Sequence, residues 1–254
     1  MKSIFSTFIF QPLFNLLIGI YLFFPDLGIA IIILTILVRF ALLPLSRKSI
    51  ESQEKLQVLQ PEIKKIQKKY KGNRELQGQK MMELYKKKKV NPAGSCLPLI
   101  IQLILLIALY RVFMSGVNDT ETALLLYSFI PNPGELNHMM LGVIDLAQPH
   151  IPLAIIAAIL QFIQTKMMLR KVTAKEKSKE KSAEPDFNEI LQKQMVIMGP
   201  LLTLFIGFKF PSGLVLYWLT STLFMIIQQY FILKKTQPDK NFIQMLKGEA
   251  IDGK

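Results

Sequence analysis

The chain has 254 residues, of which 51% are hydrophobic, and it still carries a formal net charge of +13. A soluble domain of this length rarely combines the two, so the composition indicates a membrane protein with its charges in the loops. The single cysteine, Cys96, excludes an internal disulfide, and Gly-rich phosphate loops and Gly-x-Ser-x-Gly patterns are absent. We therefore expect no enzyme, no cofactor and no metal site.

The first apolar segment, residues 4–24, is broken by Pro12, and Pro25-Asp26 leaves little room for a loop before the next apolar run. Lys2 followed by an apolar run imitates a secretory signal, but the small-x-small cleavage pattern is missing. We predict an N-terminal interfacial helix lying flat in the outer interface. An additional span and a cleaved signal remain the alternatives.

Five later apolar runs are long enough to cross about 30 Å of hydrocarbon. They are residues 27–45, 97–113, 151–169, 195–210 and 214–233. The fourth run is short, and Gly199-Pro200 is expected to kink it. The sequence therefore predicts an all-α membrane protein with five transmembrane helices.

Positive charge is unevenly distributed among the segments between these runs. Segments 46–91 and 170–193 are rich in Lys, and the tail, 234–254, begins with two lysines, whereas segment 114–150 contains no Lys or Arg. Cytoplasmic loops of membrane proteins carry the excess of positive charge. The N-terminus and segment 114–150 are therefore predicted outside, and the basic segments and the C-terminus in the cytoplasm.

Segment 46–91 combines its basic charge with a regular apolar pattern. Apolar residues recur every three or four positions in its first part, and a weaker series follows in a second helical stretch: Leu56, Leu59, Ile63, Ile66 and Tyr70, then Leu76, Met81 and Leu84. Lys71-Gly72-Asn73 is a turn signal between the two. We predict a cytoplasmic antiparallel helical hairpin bent at Pro61, with a solvated basic linker as the alternative.

The two remaining loops differ in composition. Segment 170–193 is rich in Lys and Glu and poor in apolar residues, which favours a flexible loop. The outer loop 114–150 contains two apolar stretches too short to span, 123–130 and 139–146, and both histidines, His138 and His150. We expect these stretches to be short helices on the outer surface.

Arg39 lies inside the first predicted span, which is otherwise apolar apart from Thr35, and none of the five spans contains an acid. A lone cation at membrane depth costs about 2.5–3.5 kcal/mol on insertion scales and usually marks a function. Arg39 is six residues, or about 9 Å, from the inner end of the span, so its side chain could also extend to the headgroups. Its partner is then water, a lipid phosphate or an acidic group of a substrate.

Other polar residues interrupt the third and fifth spans. Gln161 and Gln164 lie in the third, and Tyr217 and Trp218 lie in the fifth, ahead of the polar cluster 220–222. Single polar residues in spans usually form hydrogen bonds between helices. We expect that role for Gln102, Thr203 and most of the 220–222 cluster. Tyr217 and Trp218 are either interface anchors or part of a polar cavity.

Several segments, in this order and spacing, resemble the YidC/Oxa/Alb family of membrane protein insertases over about residues 4–235. The segments are TILVRFALLPLSRKS, LQPEIKKIQKKYKGN, NPAGSCLPLIIQ, FIQTKMM and FPSGLVLYWLTSTLF. The resemblance implies a bacterial multi-pass protein of the cell membrane, with five spans around a hydrophilic groove that is open to the cytoplasm and to lipid. It also implies that the protein inserts and helps to fold membrane proteins.

By this resemblance, Arg39 is the groove arginine that attracts acidic residues in the N-terminal tails of newly made membrane proteins. Thr35, Gln164 and Trp218 match groove positions, and Tyr217 and Gln161 complete the candidate set. The lipid bilayer is an expected partner, the ribosome and the Sec translocon are candidate partners, and no nucleic-acid sequence is expected to be recognised. The alternative function is a small-solute or anion transporter that binds its substrate at Arg39. Transporters typically show internal repeats, and this sequence shows no convincing one.

Overall fold

The computed structural model describes residues 6–95, 97–115, 125–176 and 187–235. Within these residues the chain forms nine α-helices, one short β-hairpin, an N-terminal π-helical turn, Ser6–Phe10, and a 3₁₀ turn, Pro92–Ser95. The helices are α1 Gln11–Phe23, α2 Leu27–Ala41, α3 Leu43–Val58, α4 Gln60–Lys69, α5 Arg74–Lys87, α6 Leu97–Ser115, α7 Ile151–Glu176, α8 Phe187–Lys209 and α9 Ser212–Lys235. The strands are β1 Met139–Met140 and β2 Ile144–Asp145.

Two described stretches are long and apolar enough to cross a membrane, namely Ser6–Phe23 and Ser212–Ile232. A third would be α2 with α3, if this pair, bent by 66°, forms one span. Shorter apolar stretches lie in α6, α7 and α8: Ile100–Arg111, Ile151–Met167 and Val196–Lys209. The helical content and these stretches agree with the predicted class of all-α membrane proteins.

The helix that carries Arg39 ends earlier than the sequence predicted. The expected span 27–45 is interrupted at Leu42, where α2 ends and α3 begins at a bend of 66°. Pro44, in the first turn of α3, has no N–H to donate to the carbonyl of Phe40 four residues earlier. Arg39 consequently lies in the last turn of α2.

The bundle core is formed mainly by α1, α2, α6 and α9. Its fully buried side chains include Phe14 and Ile18 of α1, Ile31 of α2, and Tyr217 of α9. α7 packs against α8 and α9, and α9 also packs against α2. The outward faces of α7 and α8 remain apolar and exposed, with Ile155, Ile156, Ile159, Phe162, Ile197, Leu201, Leu202 and Phe205. Such a large exposed apolar surface is suited to lipid.

α3, α4 and α5 share a small apolar cluster of their own. Leu59, Ile63 and Val90 are buried there, and Leu56, Met81, Leu84 and Tyr85 pack against them. α4 ends in a turn at Gly72, whose φ is +112°, and the Asn73 side chain accepts a hydrogen bond from the Leu76 N–H at 3.0 Å. The predicted turn and apolar pattern therefore correspond to a real packing unit. The helix is interrupted at Leu59, between α3 and α4, just ahead of Pro61, where the bend was predicted.

The prediction of two short helices at 123–130 and 139–146 was wrong. Residues 125–130 form turns, and 139–146 form an antiparallel β-hairpin that pairs Met139 with Asp145. Its turn places Leu141 and Gly142 at φ values of 50° and 70°, which a helix does not permit. Residues 116–124 lie outside the described part of the chain.

Side chains in α1 and at the starts of α2 and α9 hold residues 125–145 in place. Asn15 donates to the Leu125 carbonyl at 2.8 Å and accepts from the Tyr127 N–H at 2.7 Å. Asp26 accepts from the Leu141 N–H at 2.6 Å, and Ser212 donates to the Asp145 carbonyl at 2.9 Å. The segment therefore covers the end of the bundle where α2 and α9 begin.

The predicted flexible loop 170–193 is helical at both of its ends. α7 continues through Glu176 and α8 begins at Phe187, because Lys and Glu have good helix propensity. Pro200 lies within α8, and Gly207 of that helix approaches Ala154 of α7 so closely that an added Cβ would collide with it. Cys96, residues 177–186 and the tail from 236 onward lie outside the described residues.

Candidate functional site

Arg39 is buried, with 2% of its surface exposed, between α2, α6 and α9. In the part of the chain that the structure describes, its polar partners are neutral, and no Asp or Glu forms an ion pair with it. Its place in the last turn of α2 aligns its charge with the negative end of the helix dipole. The sequence prediction missed this contribution because it continued the helix to Leu45.

Two neutral side chains accept hydrogen bonds from one nitrogen of the Arg39 guanidinium. Arg39 Nη2 donates to Gln102 Oε1 of α6 and to Ser221 Oγ of α9. Ser221 Oγ in turn donates to the same Gln102 oxygen at 3.0 Å. Hydrogen bonds to a charged group contribute about 1.5–3 kcal/mol each. Two of them offset much of the insertion cost of about 2.5–3.5 kcal/mol for an arginine in a span.

One donor of Arg39 remains without a partner. Its Nε is buried and makes no hydrogen bond within the described residues. Nε and Nη2 lie on the same edge of the planar guanidinium, which is the edge that binds carboxylates in a bidentate manner. The site therefore offers one free donor directly beside a donor that is already occupied.

Thr35 and Tyr217 lie on the α1 side of Arg39. Thr35 is 3% exposed and donates to the Ile31 carbonyl of its own helix at 2.6 Å. Both side chains border a small, mostly apolar cavity of about 20 Å³ that is also lined by Phe14 and Leu105. A cavity of that size is just large enough for one water.

Gln161, Trp218 and Gln164 form a second polar patch between α7 and α9. Gln161 Oε1 accepts from Trp218 Nε1 at 3.1 Å and from Thr222 Oγ1 at 3.4 Å. Gln164 Nε2 instead donates to Met225 Sδ at 3.4 Å, and its buried Oε1 has no partner in the described residues. No hydrogen bond among the described residues joins this patch to Arg39. The six predicted site residues therefore form two groups, one at α2–α9 and one at α7–α9.

Gln102 and Ser221 are the site residues that sequence reasoning underestimated. It assigned both to hydrogen bonds between helices, and they do link α6 to α9, but with Arg39 as the shared partner. The available signal was the spacing of Ser221, four residues after Tyr217 and so on the same helix face. That spacing alone does not indicate which helix faces it.

A basic groove of about 310 Å³ lies between α4 and α5. Lys65, Lys69, Lys80 and Lys87 surround an apolar floor that includes Ile66, Tyr70 and Leu84. Lys80 donates to Glu83 at 2.8 Å, and this bond raises the pKa of Lys80. Lys80 therefore stays protonated at neutral pH, and the groove is positively charged.

The described residues contain no cluster of three or more His, Cys, Asp or Glu side chains that could hold a metal ion. His150 has a structural role, because its Nδ1 accepts a hydrogen bond from the Leu153 N–H at 3.3 Å at the start of α7. Among the described residues, the hydrogen-bonded polar side chains around Arg39 and Gln161 are amides, hydroxyls, the Trp218 indole and the Arg39 guanidinium.

Comparison with known proteins finds relatives among membrane proteins. Residues 19–240 match the family model described as 60Kd inner membrane protein. A protein of Fusobacterium nucleatum named membrane protein insertase YidC is 37% identical over 210 residues, which are 83% of this chain and 87% of that protein. Proteins of the same name from Wigglesworthia glossinidia brevipalpis and a Janthinobacterium species are 38% and 34% identical.

Those two matches cover 89% and 90% of this chain but only 37% and 38% of the relatives, so the chain spans little more than a third of their length. The Fusobacterium protein is of similar length, and its match includes most of both proteins. The family-model match over residues 19–240 and the similarity to the Fusobacterium protein show that the chain belongs to the 60Kd inner membrane protein family.

Proposed function

We propose that this protein is a membrane protein insertase, which transfers newly made membrane proteins into the bacterial inner membrane and helps them to fold. The observation that carries the proposal is Arg39, a buried cation whose partners are the neutral side chains of Gln102 and Ser221. A fixed positive charge inside a bundle with an apolar exterior attracts an acid that must pass through the membrane. The insertase names of the relatives support this assignment.

In this mechanism Arg39 transiently neutralises an acidic residue in the N-terminal tail of the client. Thr35, Tyr217, Gln161, Gln164 and Trp218 provide polar contacts along the groove while the tail crosses. The apolar span of the client then enters the lipid, gaining about 25 cal/mol for each Å² of apolar surface removed from water. That gain drives insertion without ATP, and Arg39 lowers the barrier.

We propose five spans formed by α2, α6, α7, α8 and α9, with the N-terminal segment 4–24 at the outer interface. In this arrangement α4 and α5 form a cytoplasmic helical hairpin, here called the basic hairpin, which collects clients. Its groove of four lysines suits acidic client segments, and the ribosome and the Sec translocon are further partners to test. The Lys-rich segments support a cytoplasmic C-terminus and an outer position for segment 114–150.

Cysteine labelling tests this orientation. In a Cys96→Ser background, Lys71→Cys should react with a membrane-impermeant maleimide only after the cells are opened, because it lies in the α4–α5 turn. Glu135→Cys, in the outer segment, should react in intact cells. Both side chains are exposed, so accessibility within the protein does not limit the reaction. The opposite labelling pattern would reverse the proposed topology.

Reconstitution tests the function itself. The purified protein in liposomes should insert a short single-span client with an acidic tail, measured as protection of the tail from added protease. Empty liposomes and liposomes with an unrelated membrane protein are the controls. Uptake of small anions without client insertion would instead favour the transporter alternative, in which Arg39 binds the anion.

A further inference from the structure

We infer that Arg39 and Ser221 form a preformed carboxylate site, in which Gln102 Oε1 occupies the position of one oxygen of the client carboxylate. Gln102 is then a positioning residue that competes with the client. This inference rests on the proposed insertase function and adds to it how acidic tails are distinguished from neutral ones.

The hydrogen bonds define the position of that oxygen. Gln102 Oε1 accepts from two donors on different helices, Arg39 Nη2 and Ser221 Oγ. A carboxylate oxygen accepts the same two hydrogen bonds and adds a negative charge. Its second oxygen would lie beside Arg39 Nε, the buried donor without a partner. A carboxylate therefore satisfies all three donors, whereas the Gln102 amide satisfies only two.

Burial makes the exchange competitive. Gln102 is 8% exposed, Arg39 is 2% exposed and Ser221 is fully buried, so a client oxygen reaches the donors by displacing the Gln102 side chain. Charge-assisted hydrogen bonds are roughly twice as strong as neutral ones. A client carboxylate consequently gains from the exchange, whereas a client amide only replaces one amide by another. Gln102 thereby makes the site selective for acids.

The test compares two clients that differ only in an Asp or an Asn at one position of the tail, inserted into the same liposomes. Gln102→Glu places a permanent carboxylate beside Arg39, which remains ionised next to the guanidinium. We expect the ratio of Asp-tail to Asn-tail insertion to fall about tenfold or more, which corresponds to about 1.4 kcal/mol. Gln229→Glu, which adds a carboxylate at a different buried glutamine, in α9, is the matched control.

Two further variants change the site without adding charge. Gln102→Leu removes the competing oxygen and should raise the Asp/Asn ratio by about threefold, whereas Ser221→Ala removes a donor and should lower it by about threefold. Thr203→Val is the control for a lost buried hydroxyl, since Thr203 donates to the Gly199 carbonyl within α8. Binding of labelled Asp-tail and Asn-tail peptides to the protein in nanodiscs gives the same ratio without insertion. Thermal melting of each variant reports on folding.

The outcomes separate this inference from the proposed function. An unchanged ratio in Gln102→Glu would overturn the inference. Equal loss of both clients would also overturn it, because Gln102 would then be structural or the site would hold a lipid phosphate present in both assays. If the wild-type protein inserts both clients equally well, the carboxylate site is wrong and the insertase function stands. If it inserts neither client but the peptide ratio still responds as expected, the site stands and the insertase function fails.

Discussion

Arg39→Ala is expected to reduce insertion of a client with an acidic tail about tenfold, the equivalent of about 1.4 kcal/mol of lost attraction. The same variant should change insertion of a client with a neutral tail much less, because only the acidic tail uses the charge. Arg39→Lys should retain only part of the activity, since it keeps a cation at the end of α2 but lacks the Nε donor. The measurement is protease protection of the client tail in reconstituted liposomes.

The folded structure is expected to survive this substitution. Ser221 donates to Gln102 at 3.0 Å, and this hydrogen bond is expected to remain when the guanidinium is removed. Replacing a buried charge by an apolar group is often neutral or stabilising when no charged partner is left unpaired, and in the described residues Arg39 has no acidic partner. Arg47→Ala is the matched control, because Arg47 is an exposed arginine of α3 that pairs with Glu51 of the same helix at 3.0 Å. Full activity of a well-folded Arg39→Ala protein with acidic clients would contradict the role of Arg39.

The sequence predicted those features of the site that depend on local composition. A cation in an otherwise apolar run was evident from residues 27–45 alone, and so was the shared face of Thr35 and Arg39. The absence of acids was evident from the composition of the five predicted spans. The partners of Arg39 could not be predicted, because Gln102 and Ser221 are 63 and 182 residues away along the chain. Helix periodicity indicates which residues share a face, but not which helices meet.

The errors in the fold have physical causes of the same kind. The first span was predicted to continue through Pro44, but the missing N–H ends α2 at Ala41. Segment 139–146 has enough apolar residues for a short helix. It becomes a β-hairpin because Asp26 and Ser212, at the starts of α2 and α9, bind its backbone. Tertiary hydrogen bonds of this sort override local propensity and leave little trace in the local sequence.

Replacing residues 60–87 with a short Gly/Ser linker is expected to lower insertion several-fold while the bundle stays folded. The buried cluster of Leu59, Ile63 and Val90 is separate from the bundle core, so its loss removes few contacts from the spans. The first half of α3 keeps its own anchors, since Ser49 donates to the Gly94 carbonyl at 2.7 Å and Ser52 donates to the Asn91 carbonyl at 2.9 Å. Insertion in liposomes and thermal melting of the purified protein measure the two effects.

A charge variant separates the effect of the groove lysines from the effect of the basic hairpin as a whole. Replacing the four groove lysines, Lys65, Lys69, Lys80 and Lys87, with Gln is expected to keep the helices and the apolar cluster but removes the positive charges that line the groove. If the hairpin collects acidic clients, this variant should lose insertion nearly as strongly as the deletion, and the loss should resemble the effect of raising the salt concentration on the wild-type protein. Normal insertion by a well-folded deletion would show that the hairpin is a spacer. A collapse in the melting temperature of the deletion protein would instead show that the spans depend on the hairpin. If insertion is lost in the deletion but not in the Gln variant, client capture is assigned to the apolar floor of the groove.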